Sequence, residues 1–469
     1  MLGILVLIVI VIVLVVMIFR PKLGILLLWP MLFLYPHYYM WQRQLLPLNI
    51  GIDDLFICAM FLIVLVRQNL MGGMRPRFGY AFWITFVFFI ISLISNVNSY
   101  LLVGVELEEF VKAILKGVIT VLLAYSLINS IDDLDDLKRL VFAYCFSAGL
   151  GAVIMILQQF FPGPFIIFTS PYYVFGLEHG ARPVPVGAFM NRNNAAIVLG
   201  TASLVIVSTL GLRSMYFRKS LRFTLLGIMV VAILFTRSRS GFLCLVIPLM
   251  LMGFVGKNKG YAMIFIIIGL IVFLALPTFR GALFERFGIG GPGGEYVGFW
   301  NPIIMRLQAV LGAWERMTLR RLLFGQSQIV DIMFGYPTAH NAYFGIPLTY
   351  GFGGAIWMVA LIAIMLHKAK LMTRHPDLTI SSVGRSIRWC LVVFGLYCIV
   401  GGLIGNYYVR YSLFLLAVLA QRGADLAWQY QLWDYDELYM DNPDSIALGE
   451  GYMGANCSEI DSNGCPLEG

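Results

Sequence analysis

The chain has 469 residues, of which 60% are hydrophobic and only 12% charged, and its mean hydropathy is +0.84. Globular chains carry about 25% charged residues to cover their cores, so a water-soluble globular protein is excluded and an all-α, polytopic membrane helical bundle is expected. The net charge of +8 averages two unlike parts: Gly423–Gly469 holds ten Asp and Glu and no Lys or Arg, leaving 33 basic against 15 acidic residues, or +18, on residues 1–422.

A hydrocarbon core of about 30 Å takes about 20 apolar residues to cross as a helix. The first six runs of that kind are Leu2–Phe19, Leu23–Tyr39, Ile52–Val66, Tyr80–Val97, Phe110–Ile128 and Leu140–Phe161. The first lacks the basic start and small-residue cleavage site of a signal peptide, so it is expected to stay as a helix. Asn194–Leu212, Phe223–Thr236, Ser240–Val255, Tyr261–Leu276, Asn341–Leu366 and Trp389–Ala420 follow. The last contains Gly401, Gly402, Gly405 and Asn406. It admits either one long helix or a helical hairpin, so the expected number of crossings is twelve or thirteen.

Three regions result: N-terminal membrane helices over residues 1–161, a second membrane region over 162–422 that includes a long connection at 277–340, and an acidic tail over 423–469, expected to be cytoplasmic and disordered. Basic residues punctuate alternate connections: Arg20 and Lys22; Arg67, Arg75 and Arg77; Lys138 and Arg139; Arg213, Arg218, Lys219 and Arg222; Lys257 and Lys259; then Lys368 to Arg388. The positive-inside rule puts that set in the cytoplasm and accounts for the basic balance without nucleic acid. Cys58, Cys145, Cys244, Cys390 and Cys398 lie in or beside apolar runs and read as small core residues, while Cys457 and Cys465 fall in the tail, where a reducing cytoplasm disfavours a disulfide.

The connections left on the outer side are 162–193, the corner around Arg237, and 277–340. The last is too long for an ordinary loop. Its stretch Pro302–Phe324 has apolar residues at helical spacing with Arg316, Arg320 and Arg321 on a basic face, which predicts an amphipathic helix at the membrane surface and a partly helical loop.

Arg237 and Arg239 sit between two apolar runs with almost no loop. An arginine at membrane depth is costly unless paired or turned to a wet cavity, although both could simply anchor helix ends. His340 stands where the outer loop meets a membrane helix; the positive end of a helix dipole favours neutral imidazole, which can accept a proton. Arg306 in the long loop, and Arg182 and Arg192 in the other outer connection, could extend a positive cavity. Lys112 and Lys116 have Glu108 and Glu109 within helical reach, so ion pairing is expected. Asp132, Asp133, Asp135 and Asp136 read as a solvated helix start. Without a Walker loop, a His-rich cluster or a nucleotide fingerprint, no cofactor and no metal are expected. Several arginines and one histidine on one side of a membrane bundle suit an anionic, lipid-anchored substrate such as a diphosphate.

The motifs resemble those of the O-antigen ligase and polymerase superfamily of polytopic glycan transferases. His340-Asn341, nine residues, Gly351, two residues and Gly354 is similar to the ligase pattern. Arg239-Ser-Gly-Phe-Leu243 resembles its Arg, three residues, Leu pattern. GAFMNRNNAA before a membrane helix, and Arg306 with Trp314 and Leu322–Gly325 (LLFG), are similar too, so the likeness covers roughly Arg182 to Gly354. The departures are thirteen crossings in place of twelve, an outside N-terminus, one extra residue between Arg306 and LLFG, and the acidic tail.

The resemblance implies an enzyme of the bacterial inner membrane, metal-independent and facing the periplasm, that transfers glycan from an undecaprenyl diphosphate carrier to a hydroxyl such as that of a lipid A-core sugar. It implies catalytic roles for His340 as base and for Arg239 and Arg306 on the diphosphate, with Arg237, Asn341, Arg192 and Arg182 as substrate-binding candidates. A polysaccharide polymerase of the same superfamily, a protein O-glycosyltransferase and an anion transporter are the competing readings.

Overall fold

The computed structural model describes residues 11–13, 15–34, 52–70, 76–161, 187–189, 192–212, 215, 218–236, 238–255, 260, 263, 267, 308, 311–312, 315, 317–326, 342–400 and 407–440. Every regular element among the described residues is helical. The first five helices are α1 (Pro21–Leu34), α2 (Ile52–Leu70), α3 (Tyr80–Val103), α4 (Leu107–Ser130) and α5 (Leu134–Phe160). A single 3-10 turn at Gly187–Phe189 precedes α6 (Arg192–Thr209), α7 (Lys219–Phe235) and α8 (Arg239–Val255). After the short α9 (Leu319–Phe324) come α10 (Ala342–Arg374), α11 (Leu378–Val400) and α12 (Tyr407–Met440).

Tyr80–Leu102, Leu107–Ser130, Leu134–Phe160 and Gly345–Arg374 are each long and apolar enough to cross a membrane, and Asn193–Thr209 is a shorter apolar helix. The chain is an all-α polytopic membrane bundle. Its outer faces are apolar, as lipid requires: Trp83, Val87, Ile94 and Leu101 of α3 are all exposed. The centre is built by α6 and α12, whose stretches Asn194–Thr209 and Val409–Arg422 are buried along their whole length. Helix α6 packs against α5, α7, α8 and α11, and α12 against α3, α4, α10 and α11.

Within the described residues the predicted runs fall on helices, with differences that have local causes; most of Leu2–Phe19 and nearly all of Tyr261–Leu276 lie outside the described residues. Helix α5 begins at Leu134 rather than Leu140 because the Asp133 carboxylate caps it, accepting a bond from the Asp136 backbone N–H at 2.7 Å. The last run is two helices on either side of 401–406, as the hairpin reading has it. The tail differs from expectation, since α12 continues through Met440 without a break. That stretch carries a helical pattern (WQYQLWDYDELYM) and no Gly or Pro to stop it; residues 441–469 lie outside the described residues.

One end of the bundle is held by charge around Ile131–Asp133. Asp132 pairs with Arg67 and Arg77, each at 3.0 Å. Asp136, whose side chain is fully buried, meets Arg139 at 2.6 Å and Lys22 at 3.3 Å. The Ile131 carbonyl accepts from Arg77 at 3.0 Å and twice from Arg422, at 3.1 and 2.7 Å. These acids do start a helix, but they are not merely solvated: they gather cations from α1, α2, α5 and α12. Three of the basic connections grouped by the charge pattern, those of Lys22, of Arg67 and Arg77, and of Arg139, therefore come together in space. Burial alone would raise the Asp133 carboxyl, yet the Asp136 N–H and the Lys22 ammonium outweigh it and hold it below the usual carboxylate range.

Lys112 pairs with Glu108 at 2.7 Å and Glu109 at 2.6 Å as the spacing predicts. Lys116 instead reaches across to Asp54 of α2, whose side chain is 1% exposed. Positions three and four residues to either side of Lys116 are Lys112, Ala113, Ile119 and Thr120, so its own helix offers no acid within one turn, and Glu108 and Glu109 already serve Lys112. Asp54 supplies an acid out of water, where a pair is worth more. Cys145, Cys390 and Cys398 are buried and Cys58 half-buried, none of the four in a disulfide.

Candidate functional site

The end opposite Asp132 is where α6, α8 and α10 begin. Their first residues are Arg192, Arg239 and Ala342, the last two positions beyond His340. Arg182, Arg237, Arg306, His340 and Asn341 lie outside the described residues. Arg192 and Arg239 are the opening residues of their helices.

The corner between α7 and α8 shows how Arg239 is set. Thr236 and Ser238 are buried, and the Thr236 hydroxyl donates to the Ile233 carbonyl at 2.6 Å while accepting from the Ser238 N–H at 3.1 Å. Ser238 then caps α8, its hydroxyl accepting the Gly241 N–H at 3.0 Å. A serine hydroxyl on the third helical N–H is the favoured way to satisfy a helix start. Arg239 is thus the first residue of α8, directly after its serine cap.

The same hydroxyl of Ser238 donates to Asn193 Oδ1 at 2.7 Å, joining the start of α8 to the first turn of α6. Gly241 allows that approach, because a Cβ there would overlap the Ala196 side chain. One residue on, Asn194 accepts a bond from the Tyr397 hydroxyl of α11 at 2.9 Å, with both side chains buried. Helix α10 joins through Tyr343, whose hydroxyl donates to the Gly395 carbonyl of α11 at 3.1 Å. The segment ahead of α6 is seated on α5, where the Gly187 N–H donates to Gln158 Oε1 at 2.8 Å and Phe189 is fully buried. This is the GAFMN stretch of the sequence, and its glycine and phenylalanine serve that seat.

The result is a chain of polar contacts, α8 to α6 to α11 to α10, that ties the N-termini of α6, α8 and α10 to one end of the bundle. No acidic residue occupies the first turn of any of the three. Each helix start carries about half a positive charge on its N–H groups, and no carboxylate within its own first turn offsets it. Among the described residues no group of three His, Cys, Asp or Glu is placed to hold a metal ion.

A further cation stands at this end. Arg410 is buried at 8% exposure, three residues into α12. Tyr397 is three residues from the end of α11, so the two stand at a similar depth on the arms of a helical hairpin. The rise of a helix separates Arg410 from Arg422 in the charged hub by about 18 Å. Sequence reading passed over Arg410 inside the run Trp389–Ala420; a lone arginine in an apolar stretch was the available signal.

The long connection shows a departure. Its predicted amphipathic helix is interrupted at Met317–Thr318, where the extended Thr318 caps a new helix by accepting the Arg321 N–H at 3.2 Å. Arg321 is buried, and Arg320, though exposed, bonds through Nε to Asn98 of α3 at 2.9 Å, so this short helix is tied to the bundle. Arg316 lies outside the described residues.

No family model matches the chain, and no curated protein matches it significantly.

Proposed function

We propose that the chain is a glycan transferase of the O-antigen ligase type, acting on an undecaprenyl diphosphate-linked glycan at the periplasmic face of a bacterial inner membrane. The observation that supports this reading is the joining of three helix starts. The elements opening at Arg192, at Arg239 and just beyond His340 are tied together by Ser238–Asn193, Tyr397–Asn194 and Tyr343–Gly395. Positive helix ends bearing arginines and lacking carboxylates suit a diphosphate.

In this reading the acceptor hydroxyl attacks the anomeric carbon of the carrier-linked sugar as the bond to the diphosphate oxygen breaks. His340 takes the hydroxyl proton, and undecaprenyl diphosphate leaves with the bonding electron pair. Arg239 and Arg306 bind the diphosphate and stabilise its growing charge, with Arg237, Arg192, Arg182 and Asn341 completing the substrate contacts. Charge-assisted bonds in a dehydrated site can do this without a metal. The charged hub at Asp132 then faces the cytoplasm, as the basic connections require.

A strain lacking the protein provides the test. Long glycan chains should accumulate on the lipid carrier while the lipid A-core stays bare. Single repeats on the core would point to a polymerase, and unchanged glycans would overturn the transferase reading.

A further inference from the structure

Helix α10 is broken at Gly351, where φ is 68° and ψ is −170°. Such a break frees carbonyls in the preceding turn, and buried carbonyls need partners. The long connection and α3 supply them. The Gln326 N–H donates to the Leu348 carbonyl at 3.1 Å, and the Ser95 hydroxyl donates to the Thr349 carbonyl. Backbone meets backbone here with no room for a side chain. A Cβ on Gly351 would lie 2.5 Å from the Leu323 oxygen, and one on Gly325, itself at φ 73°, would lie 2.6 Å from the Gly351 nitrogen. Both glycines are required by left-handed backbone and by this reciprocal contact.

Asn98 of α3 closes the arrangement from the other side. It is 7% exposed, its amide nitrogen donates to the Gly325 carbonyl at 2.7 Å, and its oxygen accepts from Arg320 Nε at 2.9 Å. A single buried amide therefore bonds both α9 and the residue that ends it. The Thr85 hydroxyl of the same helix bonds back to the Ala81 carbonyl at 2.7 Å, whereas Ser95 and Asn98 reach outward to α10 and to the segment that ends α9.

We infer that Asn98, with Ser95, is a positioning residue that latches the segment 319–326 into the break of α10, fixing the long connection on the membrane bundle. Its consequence for catalysis rests on the function proposed above, in which that connection carries Arg306. A loop latched at one point presents its binding groups with less reorganisation, so the latch acts on turnover rather than on initial capture of the carrier.

Hydrogen exchange on the full chain in nanodiscs tests the latch, and glycan transfer by the same samples tests its consequence. In Asn98→Ala, the amides of Gly325 and Gln326 should exchange about tenfold faster than in the parent, and Ser95→Ala should show a smaller change in the same peptides. Thr85→Ala, a buried hydroxyl lost elsewhere on α3, should leave them unchanged. For transfer, kcat in Asn98→Ala should fall about tenfold with KM for the carrier substrate within about twofold. Should Asn98→Ala not fold, Ser95→Ala carries the same comparison.

Exchange unchanged in both Asn98→Ala and Ser95→Ala would overturn the latch. Faster exchange with unchanged kcat would overturn its link to catalysis. Faster exchange in a protein whose parent form transfers no glycan would support the latch and overturn the proposed function.

Discussion

Replacing Ser238 by Ala removes two hydrogen bonds at once, the cap on Gly241 and the bond to Asn193 that joins α8 to α6. Loss of a serine cap costs about 1 kcal/mol. Interhelical hydrogen bonds in membrane proteins contribute about 0.6 kcal/mol on average and about 1.7 at most. Ser238→Ala should therefore destabilise the fold by about 2 kcal/mol, and Asn193→Ala by about 1 kcal/mol. Because the shared bond is lost only once, the double variant should fall short of the sum by about 0.6 kcal/mol or more. The measurement is equilibrium unfolding of the purified protein in mixed micelles by a graded denaturing detergent, for all four members of the cycle. Purely additive losses would refute the claim that the two helix starts are held together by this contact. Activity should fall further than stability, because Arg239 follows Ser238 directly and shifts with it.

Other perturbations have expected outcomes of their own. Asp54→Asn leaves the Lys116 ammonium opposite a neutral group inside the membrane region and should cost about 3 kcal/mol in the same unfolding assay; Asp54→Leu with Lys116→Leu should recover most of it, and an equal loss in the double variant would argue against the pair. Arg410→Met should lower glycan transfer about tenfold or more with folding retained, and Arg410→Lys should restore only part, since a lysine keeps the charge but not the planar fork; full activity in Arg410→Met would remove this residue from the site. The Asp133 carboxyl has a folded pKa below its unfolded value, so its stabilisation is complete above about pH 4 and is lost as pH falls through the folded value. Asp133→Asn should flatten that acid limb in a pH series of unfolding midpoints; an unaltered limb would contradict the assignment.

Hydropathy made the helices legible because lipid imposes a length and an apolar composition that few other structures share. Their boundaries were less legible where a cap or a break decides them. Asp133 starts α5 a turn and a half ahead of its apolar run, and Gly351 breaks α10 inside a run that reads as continuous. The hairpin glycines at 401–405 were readable because small residues interrupt an apolar stretch too long for one crossing. Charge partners were legible only within a helix. Lys112 follows its spacing, whereas Lys116 and Asp54 are 62 positions apart in sequence and meet through packing. Arg320 and Arg321 show the same limit, since helical spacing gives a basic face but not the neighbour that face meets. At the candidate site, the helix starts at Arg192 and Arg239 were anticipated within two residues, but the Ser238–Asn193 and Tyr397–Asn194 bonds join segments whose proximity no local pattern encodes.

Glycan transfer by the purified chain in lipid nanodiscs, supplied with an undecaprenyl diphosphate-linked glycan and a lipid A-core acceptor, tests the central claim most directly. The parent protein should form the glycan–core bond and release undecaprenyl diphosphate in the presence of a chelator, and His340→Ala and Arg239→Ala should each abolish the product while unfolding at the parent's midpoint. Full transfer by either variant would contradict the account.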